Sequence, residues 1–296
     1  MLLIGLGAAL LASALYNVGS ALQALDAREA PSEEGLRLKL LTRLVRHRRW
    51  VIGLLLGALG FPLQVAALAK APFVLVQPAL AAGLLLLLLV GSRVLKERVG
   101  PGEIASVLAI CGGIALLAWG APAHTETVRS TADIVAVIGL FSALALVPFL
   151  LRNGRLDSTM LVIVGSALGF GASNIATKLV SDGFAASHLV LAGVWLVVAL
   201  VTGVAATVTE MTALQRRPAT IVVPISFGVQ TFLPVLAEPL YLREEWRSGA
   251  AGGMPLLLGL LLVLAGALAL TRTRTVSALA VGLETPDLAP DVAQAA

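Results

Sequence analysis

Thr209–Pro224 reads TEMTALQRRPATIVVP and repeats, at a spacing of 146 residues, the pattern of Leu63–Pro78, LQVAALAKAPFVLVQP. Five of the sixteen positions are identical: Ala67/Ala213, Leu68/Leu214, Pro72/Pro218, Val76/Val222 and Pro78/Pro224. Gln64 falls on Glu210 and Lys70 on Arg216. Downstream, VLKERV (Val94–Val99) meets YLREEW (Tyr241–Trp246). Upstream, YNVGSALQ (Tyr16–Gln23) meets SNIATKLV (Ser173–Val180), which pairs Asn17 with Asn174 and Ser20 with Thr177. Three anchors in one order describe a duplicated block.

The medium in which that block folds follows from composition. Of 296 residues 58% are hydrophobic and 13% charged, with mean hydropathy +0.95, against about 25% charged in a soluble domain. Apolar runs near twenty residues recur along the chain, each long enough to cross a hydrocarbon core of ~30 Å. Stretches such as AAGLLLLLLV (Ala81–Val90) do not alternate, as the strands of a membrane β-barrel must. The expected class is an all-α polytopic membrane protein of about nine spans, within a range of eight to ten. They cover approximately Leu2–Leu25, Trp50–Ala69, Ala71–Gly91, Glu103–Trp119, Ile134–Leu151, Thr159–Val180, Leu189–Gln215, Ala219–Ala237 and Met254–Leu270. The N-terminus lacks a basic region before its apolar run and reads as a first span rather than a signal peptide.

Charge sets the expected sidedness. The connections after spans one, three, five and seven, with the C-terminal tail, carry sixteen Lys and Arg, and the opposite connections carry four. By the positive-inside rule the N-terminus is outside and the C-terminus cytoplasmic, in a plasma (cytoplasmic) membrane. The basic residues lie beside spans, so the net charge of +4 is a topology signal and no nucleic-acid partner is expected. GLRLKLLTRLVRHRR (Gly35–Arg49) reads as an amphipathic anchor on the anionic leaflet.

The domain reading is a first repeat over residues 1–120, including the basic loop 26–49, then a linking span over 121–157. A second repeat covers 158–271, and a disordered cytoplasmic tail covers 272–296. Spans one to four correspond to spans six to nine. An offset of five helices is odd, so the halves insert upside down relative to each other, the construction of many secondary transporters.

The polar residues within spans carry the functional reading. Ser13, Asn17 and Ser20 share one helix face, as do Gly165, Gly169, Ser173 and Thr177. Two readings stand: tight helix packing through small residues, and lining of a central cavity. Gln77 with Pro78, and Pro224 with Ser226, Gly228, Gln230 and Thr231, mark spans three and eight, as packing kinks or as breaks beside a cavity. Glu210 is an acid inside a span, which costs ~2.5–3.5 kcal/mol on insertion scales. It is either a substrate or proton site, or an anchor that pairs at the interface. Lys178 snorkels by default and could pair with Glu238. The substrate or ion pathway is therefore expected at Asn17, Ser20, Gln64, Gln77, Asn174, Thr177, Glu210, Ser226 and Gln230. Glu210 is the only candidate metal ligand among them.

Cys111 is the only cysteine, so no intrachain disulfide forms. His47, His124 and His188 have no zinc-ligand spacing. Phosphate-loop, triad, metalloprotease and Asp-rich diphosphate motifs are absent, so neither enzymatic activity nor a cofactor is expected. The expected partners are the lipid bilayer and a small-molecule or cation substrate; a homodimer is left open.

ALAKAPFVLVQP and RVLKERVGP, taken with TALQRRPATIVVPI and YLREEW, resemble the drug/metabolite transporter superfamily. In that superfamily each half has a helix ending near Ala/Pro, a proline-initiated helix and a short Glu-containing loop. Nine helices with an outside N-terminus look most like its NIPA-like magnesium transporter branch and bacterial EamA-like relatives. The likeness spans nearly the whole chain outside residues 26–49 and the tail. It implies alternating-access transport of a small solute or cation. A NIPA-like magnesium or divalent-cation permease is the alternative, and a non-transporting membrane scaffold subunit the second alternative. NIPA-like chains carry an acid early in the second span, where this chain has the uncharged GALGFPLQ (Gly57–Gln64).

Overall fold

In the computed structural model the backbone is described for residues 2–71, 73–120, 131–151, 158–185, 187–241 and 250–282; the side chains of 68, 69, 73, 74, 77, 131, 178, 181–185, 232–241 and 273–282 lie outside that description. Ten α-helices are described: α1 (Leu2–Glu29), α2 (Leu38–Leu44), α3 (Arg48–Lys70), α4 (Phe73–Arg93), α5 (Pro101–Gly120), α6 (Thr131–Leu151), α7 (Thr159–Ala185), α8 (Leu189–Arg216), α9 (Ala219–Tyr241) and α10 (Met254–Gly282). No strand occurs among the described residues. Backbone polar groups that enter lipid must be satisfied internally, as the hydrogen bonds of these helices do.

Each expected span falls on one of the nine long helices. Seven, all but α4 and α9, are long and apolar enough over their described residues to cross a membrane. The described apolar stretches of α4 and α9 are the shorter Pro78–Arg93 and Ala219–Thr231. Pro78 sits inside α4 and Pro224 inside α9, and neither breaks the helix. At the C-terminus, α10 continues to Gly282, beyond the point at residue 272 where the sequence suggests a disordered tail.

The two halves pack alike. α1 packs against α3 and α4 as α7 packs against α8 and α9, and α4 meets α5 as α9 meets α10; α6 lies on α7. Small residues bring the axes together. A Cβ on Gly19 would lie 2.6 Å from the Gly53 carbonyl oxygen, and one on Gly53 would lie 2.6 Å from that of Gly19. Within α7, a Cβ on Gly165 would lie 2.6 Å from Pro148 Cγ, and one on Gly169 would lie 2.9 Å from Ala206 Cβ. On α7, Gly165 and Gly169 thus make the close approach that small residues allow.

Between halves, α5 and α10 run antiparallel. A Cβ on either Gly113 or Gly259 would lie 2.8 Å from the other's carbonyl oxygen. Gly113 also meets Val263 as Gly259 meets Leu117, and Gly120 meets Leu256 as Gly266 meets Ile110. Any antiparallel pair has a local two-fold. What is informative is its centre: Gly113 and Gly259 are 146 residues apart, the spacing read from α3 and α8.

The basic loop packs one face of its leucines onto protein and leaves Leu38 and Val45 exposed. Leu36, Leu40 and Leu44 are buried in the main apolar cluster with Trp50, Met211 and Leu214. Leucines at helical spacing fit either environment, and here the exposed end of α8 supplies the apolar surface. Glu34 holds the strap by ion pairs to Lys39 at 3.2 Å and Arg43 at 2.8 Å.

Candidate functional site

α8 presents its valines at 197, 201 and 204 outward and buries Ala192, Ala199 and Ala206. Glu210 lies one turn beyond Ala206 on that buried stripe. It is half-buried. Toward the end of the helix, Met211 and Leu214 are each 1% exposed. Thr207, Thr209 and Thr212 nearby turn their hydroxyls onto their own helix, at Gly203 O, Ala205 O and Val208 O. No hydrogen bond to the Glu210 carboxylate occurs among the described residues. An acid placed this way holds proton and ligand capacity that the fold leaves unused.

In the first half Gln64 is half-buried on α3, and its Oε1 accepts the Tyr16 hydroxyl at 2.9 Å. Asn17 is buried, donates to Ser13 O at 2.8 Å and packs on Gly83 of α4. Ser13 Oγ donates to Leu80 O. Ser20 is half-buried on the same helix. The mates of Asn17 and Ser20 fare differently. Asn174 and Thr177 are exposed, and Thr177 Oγ1 donates to Ser173 O at 2.8 Å. Ser226 is buried against Ser166 at 3.1 Å, and Gln230 is half-buried on α9. The Gln77 side chain lies outside the described residues, as do those of Lys178 and Glu238. The structure thus joins Tyr16 to Gln64 and Asn17 to α4, and leaves Asn174 and Thr177 on an exposed face.

Among the described residues no group of three or more His, Cys, Asp or Glu could hold a metal ion. Cys111 Sγ donates to Ala81 O at 3.2 Å.

Two polar residues escape the sequence reading. Tyr16 stands beside Asn17, but its partner lies 48 residues on, across the α1/α3 contact. Glu97 sits in the loop that carries one of the repeat anchors, and its carboxylate caps a helix of the other half. It accepts the backbone N–H groups of Ala219 at 2.8 Å and Thr220 at 2.9 Å, the Thr220 hydroxyl, and the Arg28 guanidinium. A helix N-terminus has unpaired N–H donors and a positive dipole end, so a carboxylate there is favoured. Burial acts to raise the Glu97 pKa. The Thr220 hydroxyl and backbone bonds and the Arg28 bond and charge outweigh it, holding the carboxyl below its usual range.

No protein family, curated protein or solved structure matches the chain.

Proposed function

We propose that the chain is an integral membrane transporter of the drug/metabolite transporter type, which moves a small solute or cation by alternating access. Its halves insert with opposite sense, and nine helices cross the bilayer, with the end bearing most of the cations toward the cytoplasm. The carrying observation is the reciprocal α5/α10 contact centred on Gly113 and Gly259. It falls at the spacing that relates Gln64 to Glu210, as a two-fold axis in the membrane plane requires. Such a frame has two conformations of similar energy, each opening the interior to one side. Glu210, acidic and without a hydrogen-bond partner among the described residues, is the side chain that meets the substrate or a coupled proton.

The test is flux across proteoliposomes loaded with a panel of organic solutes, lipophilic cations and Mg²⁺. Saturable, pH-dependent transport lost on Glu210→Gln supports the reading. Mg²⁺ flux that survives Glu210→Gln would favour a divalent-cation permease instead. Absence of flux across the whole panel would leave a scaffold subunit.

A further inference from the structure

The chain leaves α4 by a tight turn. Leu95 N–H donates to Val90 O at 3.3 Å and Glu97 N–H to Gly91 O at 3.0 Å, which occupies carbonyls of the last turns of the helix. Lys96, between them, has φ +56°. A chain that leaves a helix in this left-handed conformation usually does so at glycine, because a Cβ crowds the backbone there. Here a long cationic side chain holds the position. The turn by itself gives no reason for a lysine.

The surroundings of Lys96 supply one. With Arg28, Leu95, Glu97, Arg98 and Pro218 it lines a cavity of about 420 Å³, within the ~300–1,000 Å³ usual for ligand sites. Three of these residues are cations and one is an acid. The acid is already committed. The Glu97 side chain, 3% exposed, accepts the Ala219 and Thr220 N–H groups, the Thr220 hydroxyl and Arg28. The first donors of α9 are thereby occupied and are not offered to a ligand. The same carboxylate fixes Arg28, which binds it through one nitrogen of a guanidinium that carries five N–H donors. Lys96 is exposed, and its ammonium has no partner among the described residues. The cavity therefore disfavours cations. It offers an anion a positioned guanidinium, an unpaired ammonium and the added charge of Arg98.

Its place in the fold narrows the kind of anion. Residues 94–100 join α4 to α5, and both helices expose apolar side chains on the way to that loop: Leu85 and Leu89 on α4, Ile104 and Leu108 on α5. Val94, two residues before Lys96, is exposed as well. Cations next to apolar surface, at the end of the helices where most Lys and Arg gather, stand at the depth of lipid headgroups. The charged group found at that depth is phosphate. A guanidinium fork matches its oxygens, and an ammonium adds a point charge.

We infer that the cavity of Arg28, Lys96 and Arg98 binds a phosphate group at the membrane surface, carried by an anionic phospholipid or as free phosphate, with Glu97 positioning Arg28. This site stands independently of the transport reading.

The experiment is a thermal melt of the full chain in neutral detergent, titrated separately with phosphatidylglycerol, phosphatidylcholine and inorganic phosphate. A ligand that binds only the folded chain raises Tm in a concentration-dependent way that yields an apparent Kd. Phosphatidylglycerol should do so and phosphatidylcholine should not. A rise with inorganic phosphate, and its competition with the lipid, would assign the site to free phosphate. Lys96→Gln should weaken binding about fivefold, the worth of one cation near a charged surface, and Lys96→Arg should retain it. Lys96→Gly relieves the left-handed backbone, so its ligand-free Tm should be no lower than that of the parent chain while its binding falls as in Lys96→Gln. That split separates a ligand-binding lysine from one that serves only the turn. Arg46→Gln removes an exposed cation outside the cavity and should leave the apparent Kd within about twofold. Absence of a rise with either phosphatidylglycerol or phosphate would overturn the inference. Equal weakening in Arg46→Gln and Lys96→Gln would also overturn it, because a diffuse basic surface would then account for the binding.

Discussion

Gln64 on α3 and Glu210 on α8 hold the same register, each six residues short of its cationic mate Lys70 or Arg216. Their surroundings differ. Gln64 is held by the Tyr16 hydroxyl at 2.9 Å. The residue in Tyr16's register in the second half is Ser173, whose shorter side chain bonds to Ala199 O at 2.9 Å and does not serve Glu210. The helix crossing beneath differs too. Gly19 and Gly53 touch backbone to backbone in the first half, where the second has Ala176 and Ala199. Two sets of helices that pack alike place these residues in similar positions, and small changes in their neighbours decide which polar groups are satisfied.

Six substitutions break or sharpen that contrast. Glu210→Gln should lower flux about tenfold or more, a loss of ~1.4 kcal/mol or more of transition-state stabilisation, whereas Gln64→Ala should lower it far less; proteoliposome flux measures both. Glu97→Gln should destabilise the chain by about 1.5–3 kcal/mol at neutral pH, the usual worth of bonds to a charged group. Because the native Glu97 pKa lies below its unfolded value, that advantage is full above the unfolded carboxylate range. It is lost as pH falls through the native pKa, and melts of both proteins across pH 3–7 should converge at the acid end. Gly53→Ala drives a methyl into the Gly19 carbonyl and should cost about 1–3 kcal/mol of stability. Ala199→Gly, its counterpart, should cost about 0.5–1 kcal/mol, both read as shifts in Tm. Tyr16→Phe should cost about 0.5–1.5 kcal/mol, with its effect additive to that of Glu210→Gln because the two sites share no partner among the described residues.

How far the residues foretold this differs from element to element. Twenty-residue apolar runs place the long helices well, because length against the bilayer is nearly all that such a helix needs. Chain ends read worse: α1 continues to Glu29 and α10 to Gly282, since polar side chains beyond the lipid do not stop a helix. The Gly35–Arg49 loop has leucines at helical spacing, a pattern shared by lipid-facing and protein-facing segments; only the coordinates set Leu40 and Leu44 on protein. Asn17 and Asn174 are indistinguishable in the repeat, yet one is buried and the other exposed, because burial depends on which neighbouring helix closes over each. Glu97 was hidden for another reason. Its acceptor role needs donors 122 and 123 residues away, and no local pattern reports a cap delivered from the other half.

Alternating access by this chain requires halves of opposite sense, and Lys70 and Arg216, mates at a spacing of 146 residues, report that directly. Each is replaced by cysteine in the Cys111→Ser background and titrated with an impermeant thiol reagent in oriented vesicles. Lys70→Cys should react only from outside and Arg216→Cys only from the cytoplasmic side. Reaction of both from one side would contradict the inverted duplication and the transport mechanism built on it.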